Sequence, residues 1–424
     1  MLIRRAVLLD GTTTDIRVGT HVHEIAGGLT VRRGESEYDA AGGTVIPGLH
    51  DHHIHLRAAA AALHSVHVGP EHVHDKDELA RVLAAAAPDD DGWIRAVGYH
   101  DVAAGPLDRD VLDEVAPAVP VRIQHRSGVQ WTVNSHGLLR LGLPNHPDGR
   151  LCSADASWAL PRSDPDLRAL SARLCRYGVT AVTDATPDLG AGDITDLQQR
   201  MRQTVRCLAP GKRIMHDDEL DLDALTRWIG HTHSVAMPVA LHCVTAAQLV
   251  VALEAFRCAG RHPLDRFEHA AVVPDASLSD LAAQGIPVVT QPNFVAERGD
   301  QYLADVPVAE HHELWRVAAL LDAGVPVALS TDAPFGDADP WAAMRAAVRH
   351  RTSSGAVLGP DERITAATAL ALFTGDRPAV PARLQPGARG DLCVLAAPPA
   401  DVLAELDAAA VAATVIAGEI VYER

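Results

Sequence analysis

Lysine is almost absent from this chain: of 37 basic residues in 424, only Lys76 and Lys212 are lysines. Against 55 acidic side chains this leaves a formal net charge of −18. That balance excludes the non-specific nucleic-acid or anionic-membrane binding that clustered cations provide. Aromatic residues make up only 4% of the chain. The tryptophans, Trp93, Trp131, Trp158, Trp228, Trp315 and Trp341, follow no spacing that would build a stacking platform, so each is expected to pack as an ordinary core or surface side chain. No segment approaches the ~18 consecutive apolar residues of a membrane helix. The opening run from Met1 is too short for a signal peptide before it meets the Asp10-Gly11 turn. The cysteines, Cys152, Cys175, Cys207, Cys243, Cys258 and Cys393, are dispersed with no Cys-x-x-Cys pair. This pattern is expected of reduced thiols in a cytoplasmic protein.

What is present is enough apolar material for a sizeable core, 47% hydrophobic against 22% charged residues. The length fits two or three domains, or one α/β barrel with additions. Short strands and turns fill residues 1–46: Leu2–Leu9, Val18–Ile25 and Leu29–Val31. Similar strands, Asp391–Leu395 and Val411–Val421, fill residues 384–424. Neither end alone offers a stable sheet, so the two are expected to pair into one small β domain. Between them, residues 47–383 alternate strands and helices. Asp75 with Glu78 forms a capping box opening a helix through Ala87, and Gly92–Gly98 follows as a strand. Thr245 caps Ala246–Ala259, and Val235–Leu241, Arg266–Glu268, Ile286–Thr290 and Val325–Ser330 read as strands. Strands apolar on both faces alternating with helices mean a parallel sheet covered by helices, and a (β/α)8 TIM-type barrel fits best. The stretch 99–147 breaks the rhythm and reads as an insertion shaping the site.

The informative segment is Thr44-Val-Ile-Pro-Gly-Leu-His-Asp-His-His-Ile-His-Leu56. On a strand, Asp51, His53 and His55 share one face while His50, His52 and Ile54 take the other. His-x-His alone is weak here, because 23 histidines make five such pairs: 21/23, 50/52, 53/55, 72/74 and 231/233. Position favours 53/55, which ends an apolar strand just after Pro47-Gly48. His242, His269 and Asp332 each end a further predicted strand, on the barrel face where active sites are built. Neutral imidazoles and a carboxylate suit Zn²⁺ or a similar divalent ion, with Mn²⁺ and Fe²⁺ as alternatives. Such an ion lowers the pKa of a bound water toward ~7 and polarises a carbonyl. Asp332 is the candidate general base.

These motifs, Pro47-Gly-Leu-His-Asp-His-His-Ile-His-Leu56, His242, Phe267-Glu-His269 and Ser330-Thr-Asp-Ala-Pro334, resemble the metal-dependent amidohydrolase superfamily. The nearer likeness is to its amidohydrolase-3 (YtcJ-like) branch, through His125-Arg-Ser-Gly128 with Asn134-Ser135, Gly178-Val-Thr-Ala-Val-Thr-Asp184, Gln291-Pro-Asn-Phe294, Asp332-Ala-Pro-Phe-Gly336 and Pro386-Gly-Ala-Arg-Gly-Asp-Leu392. The resemblance implies a barrel plus a β-sandwich from both termini. It also implies hydrolysis of a non-peptide carbon–nitrogen bond, an amide or cyclic amide, in a small molecule.

Relatives often place a carboxylated, metal-bridging lysine between His-x-His and the next histidine. Aligning Asp217-Asp218 puts Arg213 rather than Lys212 at that position, and arginine stays charged and takes up no carbon dioxide. A shift of one residue restores Lys212 but turns it to the other face unless a bulge intervenes. Three outcomes stay open: Lys212 bridging two metal ions, one metal only, or a degenerate site. Asp184, His125, Arg126 and Asn134 have structural and functional readings of equal weight. The competing functions are a heterocycle deaminase and a metal-free binding or scaffold barrel. Against the deaminase, Cys243-Val-Thr245 stands where such relatives carry a catalytic glutamate. Oligomeric state is open, with a homodimer as the prior.

Overall fold

The computed structural model describes residues 1–152 and 164–424, so Trp158 lies outside the described residues. The chain divides into two compact units, Met1–Leu56 with Leu167–Arg424, and Arg57–Asp166.

In the first unit the two ends of the chain meet in one mixed eight-stranded sheet. Its order runs Glu419–Glu423, Val411–Ile416, Leu392–Leu395, Thr44–Pro47, Leu2–Val7, Thr13–Val18, Val22–Ala26, with Glu37–Asp39 pairing Leu2–Val7 off this path. The junction is antiparallel, Leu392 opposite Pro47 and Leu395 opposite Thr44. Ile3, Ile16, Val45, Leu392, Val394 and Val415 pack in its core. The expected strand at Leu29–Val31 does not form. Side chains take its backbone groups instead: Asp15 accepts from Leu29 N at 3.0 Å, and Arg17 Nη2 donates to Thr30 O at 2.7 Å.

The rest of this unit is α/β. Three parallel strands, Thr204–Cys207, Val179–Asp184 and Leu49–Ile54, pair in that order. Five more pair in chain order: Lys212–Arg213, Ala240–Cys243, Arg266–His269, Val288–Thr290 and Val327–Leu329. Helices precede or follow most of them, including Leu222–Ser234, Ala246–Ala259 and Asn293–Asp305. The strand expected over Val235–Leu241 starts only at Ala240, because Val235 is the C-cap of the preceding helix. Thr245 does cap its helix, accepting from Gln248 N at 3.2 Å. Gly48 is required where it stands: a Cβ there would lie 2.2 Å from Thr180 Oγ1 on the neighbouring strand.

The second unit holds a five-stranded sheet ordered Arg150–Cys152, Gln130–Val133, Val121–His125, Ile94–Tyr99, Val66–His67. Its strands begin before residue 99: Val66–His67 pairs in parallel with Ile94–Tyr99, which in turn pairs in parallel with Val121–His125. Ile94, Ala96, Val121 and Ile123 pack with Leu79, Leu83 and Leu112 on one face. Trp93, Trp131, Val133 and Leu138 form a separate apolar cluster. Asp75 caps the helix Lys76–Ala85 by accepting from Glu78 N at 2.7 Å.

Candidate functional site

All six residues of Leu49–Ile54 are buried, and the alternation of a strand sorts their polar side chains. His50 and His52 stack on each other with ring centroids 4.0 Å apart. His50 Nδ1 donates to Gly375 O at 2.7 Å, so its Nε2 accepts from Thr183 Oγ1 at 2.9 Å. Burial drives the His50 pKa down to about 3, which keeps it a neutral structural group. On the other face, Asp51 accepts from Thr331 N at 3.1 Å and from the Thr331 hydroxyl. It thereby ties this strand to the turn carrying Asp332. Burial raises the Asp51 pKa to about 7.

His53, His55 and Asp332 converge. One ligand atom from each lies within 4.8 Å of the others. Asp332 Oδ1 is 3.4 Å from His53 Nε2 and 3.5 Å from His55 Nε2. Asp332 has φ +55° and His269 φ +68°, a left-handed conformation uncommon for side chains of this size. Strict alternation would put His269 on the face of Phe267, which packs against Phe256. The positive φ at His269 turns the ring instead toward Asp332, with Nδ1 at 3.8 Å from Oδ2. Its ring centroid lies 4.7 Å from that of His53 and 4.5 Å from that of His242.

Lys212 faces this group, with Nζ 3.3 Å from His53 Nε2. It pairs with Ala240 in register, so it shares the face of His242, two residues further along that strand. Arg213 turns away and stacks on Trp228, 5.3 Å from the ring centre. Of these two neighbouring cations it is Lys212, not Arg213, that faces the histidines. Burial lowers the Lys212 pKa from its ordinary value. Burial, with the Lys212 charge as a smaller cause, also lowers that of His53 far below its ordinary value. For Asp332 burial pushes upward, but His53, His55 and His269 outweigh it and hold the carboxyl below its usual range.

Two residues outside the predicted set hold it in place. Glu268, fully buried, accepts from His53 Nδ1 and from Arg266, whose Nη2 reaches Oε2 at 2.8 Å. Arg266 Nη2 also donates to His52 O at 2.6 Å. A carboxylate on Nδ1 fixes the tautomer of His53, leaving Nε2 as the electron-pair donor. Gln291 accepts from His269 Nδ1 at 2.9 Å and donates to Ser330 Oγ at 2.9 Å. The available signal was Arg266-Phe-Glu268, two charges on one face of a strand with no solvent-exposed side. Asp184 is structural, accepting from Leu56 N and Thr186 N at 2.8 Å each. Asn134 caps the helix Ser135–Arg140 and accepts from Val121 N at 2.9 Å. His125 pairs with Ser127 Oγ at 2.8 Å.

The donor set suits a divalent ion. Burial lowers the pKa of His53, His242 and His269, the carboxyl of Asp332 is held below its usual range, and among the described residues no hydrogen bond reaches the buried Asp332 Oδ1. His53, His55 and Asp332 could hold that ion together.

The chain belongs to the amidohydrolase family, whose profile matches residues 36–422. It is a hydrolase of carbon–nitrogen bonds in a metal-dependent family acting on small molecules. It is 26% identical to the N-substituted formamide deformylase of Arthrobacter pascens over 486 aligned positions, covering 91% of this chain and 90% of that protein. Among solved structures it is similar to an uncharacterized metal-dependent hydrolase from Pyrococcus horikoshii OT3, with TM-score 0.74, 18% identity, and 95% and 98% of the two chains covered. A second such hydrolase, from Pyrococcus furiosus, gives TM-score 0.71 and 19% identity over 94% and 99%. At these identities the structural likeness speaks for the fold. No helix among the described residues is long and apolar enough to cross a membrane.

Proposed function

We propose that this chain hydrolyses a non-peptide amide or cyclic amide bond in a small molecule, using divalent metal held by His53, His55, Lys212, His242, His269 and Asp332. The convergence of His53, His55 and Asp332 within 4.8 Å carries this reading. Zn²⁺ is the first choice of ion, and N-substituted formamides are the first substrates to try, given the relative that acts on them. In this reading the two parallel sheets are arcs of one (β/α)8 barrel over residues 47–383. Asp332 N donating to His53 O at 2.9 Å and His55 N donating to Ala333 O at 2.8 Å join its first and last strands. Residues 1–46 and 384–424 then form the accompanying β-sandwich domain.

A bound divalent ion supplies an acidified water and an electrophile for the scissile carbonyl. Asp332 Oδ1 takes the proton of the attacking water and passes it to the leaving nitrogen. Glu268 keeps His53 Nε2 directed at the site. Lys212, buried and with its pKa lowered toward the neutral amine, would help hold the metal if that amine took up carbon dioxide, releasing a proton and adding a carboxylate to the donor set.

Elemental analysis of protein purified without chelator, combined with assays of formate release from N-substituted formamides, tests this. The expected content is two equivalents, falling to one or fewer in Lys212→Ala. Asp332→Asn is expected to keep metal while losing ~10²–10⁴-fold in turnover. Less than about half an equivalent, with no uptake of Zn²⁺ or Mn²⁺, would overturn the metal reading, since such donors bind these ions readily. Unchanged turnover in Asp332→Asn would remove that residue from the mechanism.

A further inference from the structure

The second unit carries an alternating stack of guanidinium and indole groups. The Arg95 ζ-carbon lies 5.3 Å from the centre of the Trp131 ring, and that of Arg122 lies 5.3 Å from Trp131 and 5.5 Å from Trp93. Arg140 closes the series at 5.9 Å from Trp93. Arg95 and Arg122 are direct register partners on adjacent parallel strands. Like charges so placed repel.

No ion pair to Arg95, Arg122 or Arg140 forms among the described residues. Arg122 is only 6% exposed, and its Nε has no hydrogen-bond partner. Asp89 and Asp91, whose charges act on Arg122, are exposed and make no ion pair with it. The Arg95 side chain donates to the Ser65 hydroxyl, an uncharged acceptor. Indole faces attract guanidinium, but weakly compared with what burying a cation costs, so among the described residues the stack has no carboxylate in contact to balance it.

We propose that Arg95 and Arg122 form a binding site for an oxyanion, the carboxylate or phosphate group of a small molecule, with Trp131 flanking it. Guanidinium forks suit both groups, since each offers paired oxygens to parallel N–H donors. The site consists of residues of the second unit and is independent of the metal chemistry above.

The test uses the full-length, metal-loaded protein at constant ionic strength, with chloride as the background anion. Inorganic phosphate, sulfate and acetate are titrated separately, by calorimetry and by thermal melting. A saturable heat and a rise in Tm are expected with at least one of them; a phosphate-only or acetate-only response identifies the group preferred. Arg95→Gln is expected to weaken that binding at least tenfold. Arg122→Met, which removes a buried unpaired charge, is expected to melt at or above the wild type in chloride but below it in the saturating anion. Arg95→Gln also serves if Arg122→Met does not fold. Binding that survives Arg95→Gln unchanged places the anion elsewhere, on the metal for example, and overturns the proposal. So does a response that grows without saturating, or none at all, which leaves an adventitious ion only.

Discussion

Glu268 is the residue on which the geometry of the site turns, because it serves two partners at once. Its carboxylate orients His53 and neutralises Arg266, with neither side chain reached appreciably by solvent. Glu268→Gln keeps the volume and one acceptor oxygen but leaves Arg266 a buried, uncompensated cation. Breaking a buried pair in this way costs ~3–5 kcal/mol, and loss of such a partner to a ligating histidine lowers metal affinity ~10–100-fold. Metal-buffer titration and denaturant unfolding of this variant should show both losses. Wild-type affinity would mean that His53 is oriented without Glu268. At this scale the sequence was readable for His53, His55, His242, His269 and Asp332, because each ends a strand and their order along the chain is distinctive. Lys212 was ambiguous because its strand is two residues long, too short for periodicity to set its face. Glu268 was hidden because a buried charge betrays itself only through the partner it meets in three dimensions.

At the scale of elements, the helix Asn293–Asp305 acts as a brace for the loop after Asp332. Asn293 Nδ2 donates to Thr331 O at 3.1 Å and to Glu297 Oε1 at 3.1 Å, and Glu297 Oε1 accepts from Asp337 N at 3.0 Å. The contact is tight enough that a Cβ on Gly336 would lie 2.2 Å from Asn293 Nδ2. Desolvation raises the Glu297 pKa from 4.5 to about 7, outweighing the hydrogen bonds from Asp337 N and Asn293 and the charge of Arg298, which lower it. Between those pH values the folded chain holds a proton that the unfolded chain has released. The resulting stabilisation is complete below pH ~4.5 and is lost as pH rises through ~7. Glu297→Gln removes this dependence. Denaturant unfolding at pH 5 and pH 8 should therefore show a smaller pH difference in the variant than in the wild type; equal differences would mean that Glu297 ionises freely in the fold. The strand–helix rhythm itself was legible from caps such as Thr245 and Asp75. Strand starts were not, since an apolar run such as Val235–Leu241 does not mark where a helix ends and a strand begins.

For the molecule as a whole, the decisive feature is that residues nearly 350 apart in sequence share one sheet. Thr44–Pro47 pairs with Leu392–Leu395 on one side, then runs through Gly48 directly into the strand that carries His53. The sequence suggested this pairing because neither end has strands enough of its own. A chain ending at residue 383 would expose the hydrogen-bonding edge of Thr44–Pro47 and lose Leu392, Val394, Leu395, Val411 and Val415, all essentially buried. At ~1.5–3 kcal/mol for each such side chain, the loss is comparable to the ~5–15 kcal/mol that typically holds a folded protein together. An unpaired strand edge beside newly exposed apolar surface also invites aggregation. The truncated chain is expected to be recovered as aggregate, without a cooperative melting transition and without bound metal, by size-exclusion chromatography, calorimetry and elemental analysis. A monodisperse chain of residues 1–383 that retains metal would show that the parallel strands hold the site without the terminal sheet, and that the last 41 residues serve some other end.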